Sequence, residues 1–488
     1  VEMVMDKATL KKPKRALSVG YLFLSLLLIT AAITYWGASL SPVAPRLEGG
    51  SAPALKPTVD TRKGKKINVR DFGAKGDGRT NDLRAIQAAV NKAGSAGGGI
   101  VYFPKGIYLV DGSIVVNKNK VELEGAGWES EIRITQHPER VIVIEGSSNN
   151  AVRNLQVSLG VPGGTRNDHD EGIYVTSKAS NFIIENVLGN KKGIMVRGQV
   201  NKGIIRNNTI RNSLADGIHI TGGSSNISIE NNDLIETGDD SIAVVSYRSQ
   251  QALSSNITIK GNRIQRSYSR GIAHVGGKNV LISNNRIEGT SSSGILVVED
   301  HNYDTYAPED TQIEGNTVLQ AGGFAVKRGN QFGIEITSGA SSVTIVNNTI
   351  SESVSRGMSV SAAGTLIKDN LISRNRDSGL QVDGSDCTIT GNRFENNGTF
   401  GFFSANSDRL TISGNKMSNN NESNGMNIDN FVLKDSRNST VTDNESLETR
   451  EPMQVAHSYY LIGSCSDLVF ERNETSGTLL GSELSCIR

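Results

Sequence analysis

Aromatic side chains make up only 5% of the 488 residues, and the chain holds just 10 prolines and three cysteines. An interior poor in rings must be filled by Ile, Val and Leu in thin layers, and the 53 glycines supply tight turns. That composition excludes a large ring-filled core and favours short strands stacked in a solenoid. Three cysteines give neither a disulfide framework nor a CxxC metal spacing. Cys387 takes an inward repeat position and reads as a small buried hydrophobe. Cys465 and Cys486 fall in the less regular C-terminal tail, where an oxidising compartment would let them pair. Charge of one sign is also missing: 51 basic residues face 50 acidic ones, so no nucleic-acid footprint follows.

One long apolar run is present. Lys11, Lys12, Lys14 and Arg15 precede ALSVGYLFLSLLLITAAITYW, 21 residues without a charge. About 20 such residues cross the hydrocarbon of a bilayer, whereas the apolar core of a cleavable signal peptide is shorter. Residues 16–36 are therefore expected to be a single transmembrane signal anchor. The basic tail, residues 1–15, would lie in the cytoplasm, with everything after Trp36 on the outer side of the cell membrane. Residues 37–66, rich in Pro, Ser, Gly and Ala, read as a flexible linker.

From residue 150 onward one unit recurs: a Gly-Ile-x-Val strand, a second strand such as NISI, an Asn-containing turn, and a third short strand. The register is given by Asn186, Asn208, Asn232, Asn262, Asn285, Asn316, Asn348, Asn370, Asn392, Asn415, Asn444 and Asn473. The base period is 22–24 residues, with longer spacings where turns carry insertions. Leucine-rich repeats have a similar period, but the regular leucines they require are absent. The strands alternate and are β-branched, as in Gly217-Ile218-His219-Ile220. Three short strands per coil predict an all-β, right-handed parallel β-helix over residues 67–488. Asn at a left-handed corner of each coil would hydrogen-bond to its neighbours, rung upon rung.

The segment INVRDFGAKGDGRTNDLRAIQAAVNKAGSAGGGIVYFPKGIYLV resembles the opening of the pectate-lyase superfamily of β-helix proteins. That superfamily includes polygalacturonase-like glycosidases of glycoside hydrolase family 28, alginate epimerases and phage tailspikes. The resemblance implies an extracellular carbohydrate as ligand. Independently, Ile86, Ala89, Val90 and Ala93 share one helix face, and Thr80 or Asn81 is expected to cap that helix. Residues 67–110 would thus form an N-terminal cap that closes the open end of the coil stack.

Aligning the Gly-Ile strands shows what each coil presents outward. The residue before the glycine, or its equivalent, runs Glu171, Lys192, Asp216, Asp240, Arg270, Ser293, Phe332, Arg356, Ser378 and Phe400. Two positions past the glycine come Tyr174, Met195, His219, Ala243, Ala273, Leu296, Glu335, Ser359, Gln381 and Phe403. Strands on neighbouring coils lie ~4.8 Å apart, so Asp216, Asp240 and Arg270 should stack, with His219 beside them and Asp239 adjacent. Insertions precede or follow these same strands and would wall a groove, carrying Tyr247, Tyr303 and Tyr306. Lys192 and Glu171 are expected at the surface. His274 occupies an inward position and reads as a core histidine.

Clustered carboxylates cannot all ionise freely, so one can protonate a glycosidic oxygen while another activates water. The resemblance sharpens this: polygalacturonase-like enzymes carry Asn-Thr-Asp followed one coil later by Asp-Asp, matched here by Leu214-Ala215-Asp216 and Gly238-Asp239-Asp240. The family's next elements are not matched, since Ser269-Arg270-Gly271 and Leu296-Val297-Val298 stand there. The expectation is a membrane-anchored polysaccharide hydrolase with Asp216, Asp239 and Asp240 catalytic and with His219, Arg270, Tyr247, Lys192 and Tyr303 contacting substrate. It needs no metal. The alternatives are a lyase or uronate epimerase, with Ca²⁺ held by the same acids and Arg270 as base, and a non-catalytic glycan-binding or spacer solenoid.

Overall fold

In the computed structural model, residues 64–485 are described, apart from Asp168, residues 326–328 and residues 424–427. The basic tail and the expected anchor, with nearly all of the linker, lie outside them. No helix among the described residues is long and apolar enough to cross a membrane.

Short strands repeat in a fixed cycle because each is bounded by a residue that turns the chain. Ile218–Thr221, Ser225–Glu230 and Asp233–Ile235 make one coil, and Ile242–Val245 opens the next. Each strand pairs in parallel with its counterpart one coil on, in register: Ile218 with Ile242, His219 with Ala243, Ile220 with Val244. Among the described residues, repetition builds three parallel sheets of 16, 16 and 15 strands. Alternate residues face the interior, where Ile218, Ile242, Ile272, Ile295 and Ile334 form one fully buried column. Each such isoleucine contributes roughly 1.5–3 kcal/mol by leaving water. The Gly-Ile motif has a steric cause. A Cβ at Gly217 would lie 2.6 Å from both Ser241 O and Leu234 Cδ2, so a larger residue would push the coils apart.

The asparagine ladder forms, with one displacement. From Asn208 to Asn473 each side-chain Nδ2 donates to the Oδ1 of the next asparagine, as from Asn285 to Asn316 at 2.9 Å and from Asn316 to Asn348 at 3.0 Å. Each also donates to a strand carbonyl of the preceding coil, as from Asn285 to Ile259 O and from Asn316 to Ile282 O. The left-handed corner is not the ladder residue, as expected from sequence, but the residue before it: Asn207, Asn231, Asn284 and Asn347 have φ of 53–57°. Asn186 belongs to this outer corner column, and Val187 takes its place at the ladder, donating its N–H to Asn208 Oδ1.

The N-terminal helix spans Leu83–Ser95 and buries Ile86, Ala89, Val90 and Ala93 against the first coils. Its N-cap is Asp82 rather than Thr80 or Asn81. The Asp82 carboxylate serves the preceding turn, accepting the N–H groups of Lys75 and Gly76 at 2.7 and 2.9 Å, while Asn81 Oδ1 accepts from Leu83 N. Cys387 is buried and free, and Cys465 is in a disulfide; Cys486, its expected partner, lies outside the described residues.

Candidate functional site

The sheet that begins each coil carries the site. Tyr174, Met195, His219, Ala243, Ala273 and Leu296 are strict register partners along one outward column. The column before the glycines is fixed by backbone bonds such as Gly217 N to Asp240 O and Ser241 N to Arg270 O. Asp216, Asp240 and Arg270 consequently stand on three successive coils, and one oxygen of each of Asp216, Asp239 and Asp240 lies within 4.8 Å of the others.

Each acid has its own partners. Asp216 Oδ1 accepts the Asp240 N–H at 3.1 Å, and Asp216 Oδ2 lies 2.5 Å from His219 Nδ1. Asp240 is 6% exposed; it accepts the Arg270 N–H at 2.9 Å and faces the Arg270 guanidinium at 3.5 Å. Burial pushes the Asp240 carboxyl above the ordinary carboxylate range against the pull of Arg270, and the Asp216 charge adds to the rise. Asp239 pairs with Arg166, which reaches across from the insertion before Glu171.

Beside the acids lies a cleft of ≈ 360 Å³, floored by Glu171, Met195, Asp216 and His219 and walled by Arg166, Arg197, Tyr247 and Gln250. The wall opposite Arg166 is built by two insertions zipped together. Tyr247 bridges to Thr305, Arg248 N donates to Asp304 O, and Tyr306 N donates to Ser246 O. Burial pushes the Tyr247 hydroxyl up, and the Asp216 charge adds to it. Tyr303 is not among the lining residues of the cleft and is 69% exposed on its loop, within electrostatic reach of Tyr247.

Lys192 departs from expectation. It is fully enclosed, donating Nζ to Glu139 O at 2.9 Å, with its pKa lowered by burial. It therefore presents no cation to a bound chain. The loop that carries Glu139 meets its ammonium, and the Asp170, Glu171 and Glu139 charges lie near it. His274 lies in the core as expected, fully buried and held down to a pKa of about 3 by desolvation. Sequence reasoning missed Arg166 and Arg197. Arg197 was legible as the outward residue two past Met195, whereas Arg166 sits in an irregular insertion with no register to place it.

A divalent cation bound by oxygen ligands could in geometry span the three acids. The donors around them argue otherwise: Arg166, Arg270, His219 and two backbone N–H groups already satisfy these carboxylates. As arranged, each of the three acids already has a donor from the protein.

Residues 66–296 match the family model for rhamnogalacturonase A/epimerase, pectate lyase-like, and residues 306–431 match that for the right-handed β-helix region. Over these two spans the chain is similar to pectate-lyase-like and right-handed β-helix proteins. Among individual relatives, alginate lyase 7 of Azotobacter vinelandii is 51% identical over 69 residues, 13% of this chain and 8% of that protein. Plasmin and fibronectin-binding protein A of Streptococcus pneumoniae is 31% identical over 172 residues, 34% of this chain and 23% of that protein. The chain thus matches only a small part of the length of these curated relatives. The catalytic unit of a GH87 α-1,3-glucanase from Streptomyces thermodiastaticus superposes with a TM-score of 0.53 at 18% identity, covering 87% of this chain and 70% of that one. At that identity the likeness concerns the fold.

Proposed function

We propose that this protein is a polysaccharide hydrolase whose acids are Asp216, Asp239 and Asp240. The observation that carries the reading is a buried carboxyl with a raised pKa, Asp240, packed against carboxylates held in polar surroundings. Asp240 holds its proton and delivers it to the glycosidic oxygen as the bond to the anomeric carbon breaks. Asp216, oriented by His219 and the Asp240 N–H, and Asp239, held by Arg166, are placed to draw a proton from the attacking water. Arg270 tunes Asp240, and Tyr247 lines the sugar cleft. A glucanase of the same fold, with short sequence matches to an alginate lyase and a mannuronan C5-epimerase, supports a carbohydrate-active role. The charge-free run 16–36 and its basic flank support a position outside the cell membrane, tethered by that segment. Asp216→Asn and Asp240→Asn should each abolish release of reducing ends from a polysaccharide panel. Activity surviving both substitutions refutes the assignment.

One observation favours elimination or epimerisation instead. His219 Nε2 is buried without a partner while Nδ1 is fixed by Asp216, and Arg197 lines the same cleft. An imidazole so held can take a proton next to a sugar carboxylate paired with Arg197. His219, rather than Arg270, is then the base, because the Arg270 guanidinium is turned to Asp240. An unsaturated product absorbing in the ultraviolet, lost in His219→Gln, separates this reading from hydrolysis.

A further inference from the structure

Around the acids, the outward column two residues past each glycine is open over two coils, those of Met195 and His219. Both side chains are half-buried and line the cleft. Tyr174 is buried one coil earlier. Ala243, Ala273 and Leu296 are buried on the three coils that follow, none of them more than 6% exposed. Leu296 is a large outward side chain, so its burial requires cover from above. Two open rungs span about 10 Å of sheet at ~4.8 Å per step. The cleft over them, ≈ 360 Å³, lies at the small end of the ~300–1,000 Å³ usual for small-molecule pockets and has room for about one or two sugar rings.

Named contacts shut the path along the sheet. On the Tyr174 side the Arg140 guanidinium stacks on the tyrosine ring at 3.8 Å and binds Glu171 at 2.8 Å. The loop that carries Arg140 is tied to the insertion before Glu171. There His137 Nε2 lies 3.1 Å from Thr165 O, and its Nδ1 lies 3.2 Å from Asp170 Oδ1. On the other side, Ser293 shares the coil of Leu296 and is fully buried. Its hydroxyl meets Asn330 O at 3.2 Å and Glu335 Oε2 at 2.7 Å.

The flanks are walled as well. Gln250 Oε1 accepts from the Thr221 hydroxyl at 3.1 Å and from Gly222 N at 2.9 Å, which pins the Tyr247 loop down beside His219. The bridge from Tyr247 to Thr305 backs that loop. From the opposite flank Arg166 reaches Asp239, and its charge is felt at the Tyr247 hydroxyl, so the two walls approach each other over the floor.

This closure selects the occupant. An internal stretch of polymer needs a way in and a way out along its path, whereas a crater one or two sugars long receives a chain that stops inside it. We propose that the site takes the end of a polysaccharide chain and excludes internal segments. The proposal rests on the hydrolase reading above and adds the mode of attack, which is exo. Each turnover consumes one water. The hydroxide joins the anomeric carbon, a proton joins the leaving oxygen, and one mono- or disaccharide is released.

The test separates binding from turnover. Asp240→Asn is titrated by calorimetry with size-fractionated α-glucan, polygalacturonate, alginate and xylan, each in two fractions differing fourfold in chain length. At least one polymer should bind one protein per chain in both fractions, with the same affinity per chain. A number of proteins per chain that rises with length, or no binding to any polymer, overturns the proposal. Wild type on the same polymers is followed by product chromatography and viscosity. A mono- or disaccharide as the sole early product, with viscosity falling slowly, is expected. An early ladder of internal fragments overturns end recognition and leaves the hydrolase standing. An inert wild type, beside a variant that binds one per chain, defeats the hydrolase and leaves end recognition standing.

Discussion

Asp240→Asn should remove activity while leaving the protein as stable as wild type or more so. The substitution is nearly isosteric, and the amide oxygen can still accept the Arg270 N–H that Asp240 takes at 2.9 Å. What it deletes is a proton donor and a buried charge. The contact with the Arg270 guanidinium is 3.5 Å long, and that side chain is one-third exposed, so its loss costs about 1 kcal/mol or less. Burial raises the Asp240 pKa despite Arg270, so the neutral form is the one the fold prefers. Wherever the pH exceeds the folded-state pKa, the ionised wild-type carboxylate is therefore a penalty that asparagine removes. As pH falls through the folded-state pKa the carboxyl takes up its proton, and the gap between variant and wild type closes toward the unfolded value near ~4. Loss of the general acid lowers kcat by roughly 10²–10⁴. Denaturant melts at pH 4 and pH 7 and a reducing-end assay on the same preparations measure both quantities. A variant destabilised by more than ~1 kcal/mol at pH 7 with no pH dependence, or one within tenfold of wild-type activity, would refute the reasoning.

Three further outcomes follow from the same geometry. Asn316→Ala strips Asn285 N and Ile282 O of their side-chain partner inside the turn and should cost roughly 3–5 kcal/mol, whereas Asn473→Ala at the half-exposed end of the ladder should cost about 1 kcal/mol; urea titration compares them. His274, held neutral to a pKa of about 3 in the fold, binds a proton more readily when unfolded, so it subtracts stability as pH falls from ~6.5 toward 3; His274→Val should flatten the dependence of Tm on pH in that window. Treatment with a chelator should leave both Tm and hydrolysis unchanged, because Arg166, Arg270 and His219 already partner the acids; calcium-dependent activity would show that these partners give way to a cation.

Much of the site was readable because it lies on the regular part of the repeat. Once the 22–24-residue period is known, Asp216, Asp240 and Arg270 must share a column, since strand alternation leaves them only the outward face. His219 follows three residues after Asp216 for the same reason. Lys192 belongs to that column too, yet it is buried, with its ammonium tied to Glu139 O, a partner that the repeat period does not reveal. Arg166 and the pairing of the Tyr247 and Thr305 loops were out of reach, since insertions have no period and their paths depend on what they meet in space.

The repeat by itself determined the parallel coil, the inward isoleucines and the convergence of three acids, because a one-residue slip would expose every core side chain to water. The tertiary structure alone decided the charge state of that convergence. Whether a carboxyl keeps its proton depends on how much water and how many donors surround it, and for Asp240 burial, the Asp216 charge and Arg270 set that balance from three different coils.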